Sequence, residues 1–207
     1  PFPQTLDAAA LAAHRAAHPM LSPFDEAALE LALRWRDADP TTQIHALVGA
    51  SSPQDPLVRH VASFRLDRVE CLDLARHPAW QSGRLAATLA RWVRQEVPQP
   101  ALVLMGREFG DEDDGCLPAC LAEELGLPMW SQVLALQARE DGARILRQHD
   151  GGLEHVSAAL PTLASVTNHT GNRLRHPLLK NVMAAKRASF EVASLPEAEH
   201  IPTSAIA

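Results

Sequence analysis

The chain has 207 residues, so one domain with a sizeable core is expected, and its 46% apolar content is ordinary for a globular protein. A formal net charge of −6 excludes nonspecific nucleic-acid binding, which needs a basic face to displace counterions. No apolar run approaches the roughly 18 residues of a membrane span, and the start of the chain carries no signal-peptide pattern.

Residues 1–20 are Ala-rich, with a short helical pattern over 6–18. Ser22-Pro23-Phe24-Asp25 predicts a helix start, with Ser as N-cap, Pro at the first helical position and Asp at the positive end of the dipole. The helix runs over 23–36 and places Phe24, Ala27, Ala28, Leu31 and Trp35 on one face. Asp37-Ala38-Asp39-Pro40 stops it. Residues 43–48 read as a strand and 49–53 as a loop. A helix over 55–64 and a second strand over 68–74 follow. A long helix over 78–97 carries Leu85, Leu89, Trp92 and Val93 on one side. Residues 101–105 form a short, wholly apolar strand, as a central parallel strand would. After an acidic loop, a helix is expected over 116–125. This order predicts an α/β fold with a doubly wound, mainly parallel sheet.

After Pro128 the pattern changes. Residues 130–139 and 144–149 read as strands joined at Glu140-Asp141-Gly142, a hairpin signal. Asp150-Gly151-Gly152 is another turn, and 153–159 a third antiparallel strand. The short apolar run 163–167 returns to the main sheet. A basic helix is expected over 178–188. The chain divides into an N-terminal segment (1–21), an α/β domain with a small antiparallel element (22–192) and an extended C-terminal arm (193–207).

The strand–loop–helix corner over 105–126 is where a parallel α/β sheet binds ligands. Its Asp111-Glu112-Asp113-Asp114 run admits three readings: a Mg²⁺ site, a loop holding ribose and phosphate, or solvated acids favoured by a helix dipole. The residues alone leave these open. The ten histidines show no zinc-like spacing, and His45, in a strand, is expected as a satisfied core group. Cys71, Cys116 and Cys120 form no Cys-x-x-Cys pair and are expected as free thiols in a reducing compartment, with no metal. Ser51-Ser52 lacks a nucleophile elbow, and no glycine-rich phosphate motif occurs. Leu178 and Leu179, before the basic helix, either stand exposed for a partner or fold back on the core.

Four segments resemble, in order, the beta subunit of electron transfer flavoproteins. Ser22-Pro23-Phe24-Asp25-Glu26 is similar to its Asn-Pro-Phe-(Asp/Cys)-Glu helix start. Leu104-Met105-Gly106-Arg107-Glu108, with Asp111 and Asp113, is similar to its Gly-(Lys/Arg)-Gln-Ala-Ile-Asp-(Asp/Gly)-Asp segment. Asp150-Gly151-Gly152 matches its turn, and Leu179-Lys180-Asn181-Val182-Met183-Ala184-Ala185-Lys186 resembles Leu-Pro-Asn-Ile-Met-Lys-Ala-Lys.

The resemblance implies a subunit with no catalysis of its own, in a bacterial cytoplasm. It implies a heterodimer with an alpha subunit that carries the redox FAD. The pair would take electrons from a flavin dehydrogenase to a membrane quinone reductase or similar acceptor. The fold would be Rossmann-like and adenine-nucleotide-binding, holding a structural AMP, or a second FAD in bifurcating relatives. By the resemblance, Phe24 lies near the partner's flavin. Gly49, Arg65, Asp111, Asp113, Asp114, Gly115, Cys116 and Leu117 fall around the nucleotide. Arg175, His176, Pro177, Leu178, Leu179, Lys180, Asn181 and Met183 form the segment that docks the dehydrogenase. The C-terminal arm wraps the alpha subunit.

The departures are concentrated at the nucleotide. The family's (Ser/Thr/Cys)-(Asn/Ala/Gly)-Gln-(Thr/Val)-Gly appears as Asp114-Gly115-Cys116-Leu117-Pro118. Asp114 puts a negative charge where phosphate would sit; like charges about 4 Å apart repel by on the order of 1–4 kcal/mol. Arg65 replaces a glycine, either supplying a compensating charge or blocking the pocket. The family's first strand is not found before residue 20. The expectation is a divergent beta subunit whose AMP site is weakened or empty. The competing readings, a nucleotide-binding regulatory domain and an ATP-using adenylating enzyme, both need a phosphate cradle the sequence lacks.

Overall fold

A computed structural model describes residues 20–50, 52–73, 82–106 and 115–193. Helix α1 (Pro23–Ala38) starts as the sequence predicts, with Ser22 as N-cap and Pro23 in the first turn. Strand β1 (His45–Ala50), helix α2 (Pro56–Ala62, capped by Asp55), strand β2 (Arg68–Asp73) and helix α3 (Ser82–Glu96) follow. Strand β3 (Leu102–Gly106) and helix α4 (Leu117–Leu125) flank the corner. Gly126, at φ 67°, ends α4, and the Leu127 N–H donates back to Ala122 O at 2.9 Å.

Strands β4 (Met129–Arg139), β5 (Gly142–His149) and β6 (Gly152–Ala158) form the expected antiparallel meander. Both hairpin turns fall where the turn residues sit. At the second, Asp150 and Gly151 both take positive φ, as a tight two-residue hairpin requires. Strand β7 (Thr162–Val166) returns to the interior and is buried along its whole length. Helix α5 (Leu179–Arg187) and a two-residue strand β8 (Glu191–Val192) complete the described chain. No sequence signal marks β8.

The expectation of one doubly wound sheet needs correction. The strands form a parallel three-stranded sheet, β1-β2-β8, and a five-stranded mixed sheet, β3-β7-β4-β5-β6. Strand–helix alternation predicts the layer but not which edges meet, and β1 does not pair with β3. The expected antiparallel element continues the five-stranded sheet. β4 pairs in parallel with β7 over its first half and antiparallel with β5 over its second. Gln132, at φ 55°, marks the bulge where the strand changes neighbours.

Helices cover both faces, because side chains alternate along each strand. Leu102 and Leu104 of β3, with Ala164 and Val166 of β7, meet Ala27, Ala28 and Leu31 of α1. Val103 and Met105, with Leu163, meet α3 and α4 through Leu85, Leu117 and Leu121. Leu47 and Leu72, from the other sheet, join that same cluster, so α3 crosses under both sheets. On the opposite face α2 packs Val58 and Val61 against Val48, Ala50 and Cys71. Each such fully buried Leu or Val contributes about 1.5–3 kcal/mol. Where α3 meets β2, buried Glu70 accepts the Trp92 indole N–H at 2.6 Å and an Arg68 N–H at 2.7 Å.

Candidate functional site

The sequence candidates fall in two regions. The first is the corner at the end of β3, and α1 builds it. Ser22 Oγ accepts the Asp25 N–H at 3.0 Å and donates to the Asp25 carboxylate at 2.9 Å, closing the first turn on itself. The other carboxylate oxygen accepts the Gly106 N–H at 3.1 Å. A Cβ on residue 106 would lie 2.5 Å from that oxygen, 2.9 Å from the Asp25 nitrogen and 3.0 Å from Phe24 Cβ. Only glycine permits this approach, and Phe24 is thereby held at the end of β3. Leu21 reaches the other sheet, packing beside Val48 and Ala50. The start of α1 therefore bridges the carboxyl ends of β1 and β3.

Gly49 does not lie in a loop. It sits inside β1 opposite Leu72, because ladder pairing overrides the turn preference of Gly-Ala-Ser-Ser-Pro. Gly115, at φ 74°, leads into α4. Cys116 is the N-cap of α4, but its side chain makes no capping bond. Leu117 packs into the core with Met105 and Leu72. Asp111, Asp113 and Asp114 lie outside the described residues, as do the segment 1–19 and the arm from 194 onward. His45 is not the satisfied core group expected: its Nδ1 is buried without a hydrogen-bond partner. Cys71 is buried, and that burial pushes its thiol up, away from the reactive thiolate.

Arg65 is not at the corner. Arg36, in the last turn of α1, donates to the Arg65 carbonyl at 2.6 Å and the Phe64 carbonyl at 3.0 Å. Eleven residues of helix separate Arg36 from Asp25, about 16 Å at 1.5 Å per residue. Arg65 therefore supplies no compensating charge beside Gly106. It takes φ 56°, the left-handed conformation suited to glycine. It lines, with Lys180 and Asn181, a cleft of about 720 Å³ between α5 and the start of β2.

A helix start holds phosphate through free N–H groups. At α4, Pro118 has no N–H to offer, Leu117 is turned into the core, and Arg65 lies at the far end of α1. Among the described residues of the corner, the start of α4 therefore offers an anion one N–H fewer than a proline-free helix start would.

The second region is the segment Arg175–Met183, on the far half of α1. Arg175 donates through its backbone N–H and Nε to Glu30 Oε2, at 3.1 and 3.0 Å, and through Nη2 to Glu30 Oε1 at 3.0 Å. Its Nη1 reaches Asp37 at 2.6 Å. Arg34 donates to the same Glu30 carboxylate at 2.9 Å and to the Gly171 carbonyl at 2.5 Å. Glu30 is only 4% exposed. Burial pushes its carboxyl up, but the hydrogen bonds from Arg175 and Arg34 outweigh this and hold it below the usual glutamate range. The hydrogen bonds to Glu30 and Asp37 in turn raise Arg175.

Beyond Arg175, His176 and Pro177 lead to Leu178, the N-cap of α5. Leu178 and Leu179 do not fold back on the core; they are 60% and 77% exposed, and Met183, one turn on from Leu179, is 44% exposed. The opposite face of α5 buries Ala185 against the body. Lys180 is exposed and Asn181 half-buried. The result is an apolar ridge carried outward on a firmly tethered base.

Glu30, Arg34 and Asp37 were not singled out by sequence. One signal was available: Glu30 interrupts the apolar face between Ala27 and Leu33, with Arg34 one turn away.

The family described as "Electron transfer flavoprotein domain" matches residues 10–198. The chain belongs to the electron transfer flavoprotein family. It is similar to the "Electron transfer flavoprotein subunit beta" of Syntrophomonas wolfei, 26% identical over 180 residues, covering 87% of this chain and 69% of that one. The protein of the same name from Dictyostelium discoideum is 26% identical over 183 residues, covering 88% and 71%. The mitochondrial "Electron transfer flavoprotein subunit beta" of Oryza sativa subsp. indica is 31% identical over 169 residues, covering 80% and 65%. Among the described residues no helix is long and apolar enough to cross a membrane.

Proposed function

We propose that this chain is the beta subunit of a two-subunit electron transfer flavoprotein, passing electrons from a flavin dehydrogenase toward a respiratory-chain acceptor. Membership of the family and the naming of the relatives support the role. The observation that carries it further is the exposed ridge of Leu178, Leu179 and Met183, standing where the resemblance puts the dehydrogenase contact. The subunit performs no bond chemistry of its own. It presents the ridge to the electron donor and an alpha subunit carries the redox FAD. The N–H missing at Pro118 supports an AMP site that is weak or empty, with the redox flavin held chiefly by alpha. The layered arrangement of helices on both faces supports descent from the doubly wound, adenine-nucleotide-binding class. The arm over 193–207 is assigned to the alpha subunit.

The test is co-expression with the alpha subunit of the same source. A yellow, flavin-containing complex is expected, with no stoichiometric AMP or FAD released when the beta chain alone is denatured. In that complex Leu179→Ala should slow reduction by the dehydrogenase about tenfold, as loss of an apolar anchor does. Flavin content and melting temperature should hold, since the side chain is 77% exposed. A colourless complex or an unchanged rate would reject the role.

A further inference from the structure

We infer that Glu30 is a positioning residue: its ion-paired clasp on Arg175 sets where the Leu178–Leu179 ridge stands relative to the body of the protein. This rests on the docking role given above to that segment. Three features carry it. Glu30 is buried, and both its oxygens accept from Arg175, one of them also from Arg34. Such charge-assisted bonds, made at one face by a planar guanidinium, fix orientation as well as distance. The clasp also includes the backbone N–H of Arg175, so it holds the main chain itself and not only a side-chain tip.

The second feature is how little chain lies between clasp and ridge. Only His176 and Pro177 separate Arg175 from Leu178. Pro177 fixes its own φ and restricts His176 to extended conformations. Leu178 is itself extended, at φ −64° and ψ 139°. Three such residues span about 10 Å with few soft torsions, so a displacement at Arg175 is passed on to Leu178.

The third feature is what Glu30 stands on. Glu30, Arg34 and Asp37 follow at i, i+4 and i+7 along one face of α1, and all three bond the segment over 171–175. The first turn of the same helix is pinned to Gly106 by Asp25. The ridge is thus referenced to a helix whose own start is fixed to the end of β3. Leu179 provides the contact; Glu30 touches no donor and acts only through Arg175.

Glu30→Gln removes the charge while keeping size and shape. Hydrogen exchange needs no partner, so it is measured first on the full chain. Amides over 178–183 should exchange at least about tenfold faster in the variant, the effect of weakening charge-assisted hydrogen bonds on local opening. Amides of β5 and β7 should be unchanged. In the flavin-containing complex, the apparent KM for the dehydrogenase should then rise about tenfold with kcat near wild type, while photochemical reduction of the flavin is unaffected. Arg175→Lys, which keeps the charge but not the fork, should give an intermediate KM. Unchanged exchange over 178–183, or a uniform rise across the chain, overturns the clasp. Faster local exchange with an unchanged KM also overturns it, since the ridge position would not govern docking. Failure of the wild-type complex to take electrons from any dehydrogenase would instead reject the functional reading, with the exchange result still deciding whether Glu30 holds the segment.

Discussion

The corner at Gly106 and the segment at Arg175 both read as binding regions in the sequence, yet they are built in opposite ways. At the corner a glycine, a carboxylate and the Cβ of Phe24 are drawn tightly together, and the adjoining helix start has lost a donor to Pro118. The contacts are directed inward. At the segment, Arg175 makes the inward ion pairs, and three apolar side chains beyond it face out. The lesson is that one helix, α1, can anchor a tight inward joint at its start and, farther along, the base of a segment whose apolar side chains face out.

The largest expected effect comes from breaking the joint. Gly106→Ala forces a Cβ to within 2.5 Å of the Asp25 carboxylate and 2.9 Å of its backbone nitrogen. Overpacking of this kind costs about 1–3 kcal/mol. Denaturant unfolding should show that loss, and hydrogen exchange should place it at the start of α1 and not over 178–183. Equal loosening of both regions would erase the contrast between them.

Acid should sharpen the comparison from the other side. The groups facing Glu30 are Arg34 and Arg175, with Asp37 on the outer side of Arg175. Glu30 is held below its ordinary value of 4.5 in the folded chain. A depressed carboxylate contributes stability that is present above its unfolded pKa and lost as pH falls through the folded one. The clasp should therefore be fully formed at pH 7 and weaken progressively below about pH 4.5. Limited proteolysis of the segment over 171–178, at pH values from 7 down to 3, should show cleavage rising at the acid end. The Glu30→Gln protein should show no such rise.

The smallest effect is a gain. Arg65 takes a left-handed conformation at φ 56°, and its backbone carbonyl, not its side chain, is what Arg36 holds. Arg65→Gly should stabilise the chain by up to about 1 kcal/mol by relieving that strain. It should leave reduction by the dehydrogenase unaltered. A loss of stability would mean that the Arg65 side chain matters to the cleft beside α5.

What the sequence made legible was local. The cap at Ser22, the Glu140-Asp141 and Asp150-Gly151 turns, and the apolar runs that become β3 and β7 each announce themselves within a few residues. What it hid depends on pairings between distant positions. Asp25 meets Gly106 across 81 residues and Glu30 meets Arg175 across 145. The place of Glu30 between Ala27 and Leu33 is a local hint that it faces inward, but no local pattern names Arg175 as its partner. Gly49 was misplaced for a related reason: its neighbours Ala50, Ser51 and Ser52 look like a turn, and only pairing with β2 makes the residue part of a strand. The division into two sheets, and β8 beside β2, likewise rest on edges that meet late in the chain.

The hydrogen bond from Trp92 to Glu70 has a spectroscopic consequence. The chain contains no tyrosine, so its four tryptophans dominate its near-ultraviolet signal. Trp92 reports on the parallel sheet, its indole N–H held by a carboxylate where α3 meets β2. Trp130 reports on the mixed sheet, with the Arg147 guanidinium 5.9 Å from its ring centre. The two indoles sit in electrostatically opposite surroundings, one beside an anion and one beneath a cation. Their emission will differ in energy, and the difference between the wild-type and Trp92→Phe spectra isolates the Trp92 contribution. That contribution follows the contact between α3 and β2 by light while the chain unfolds.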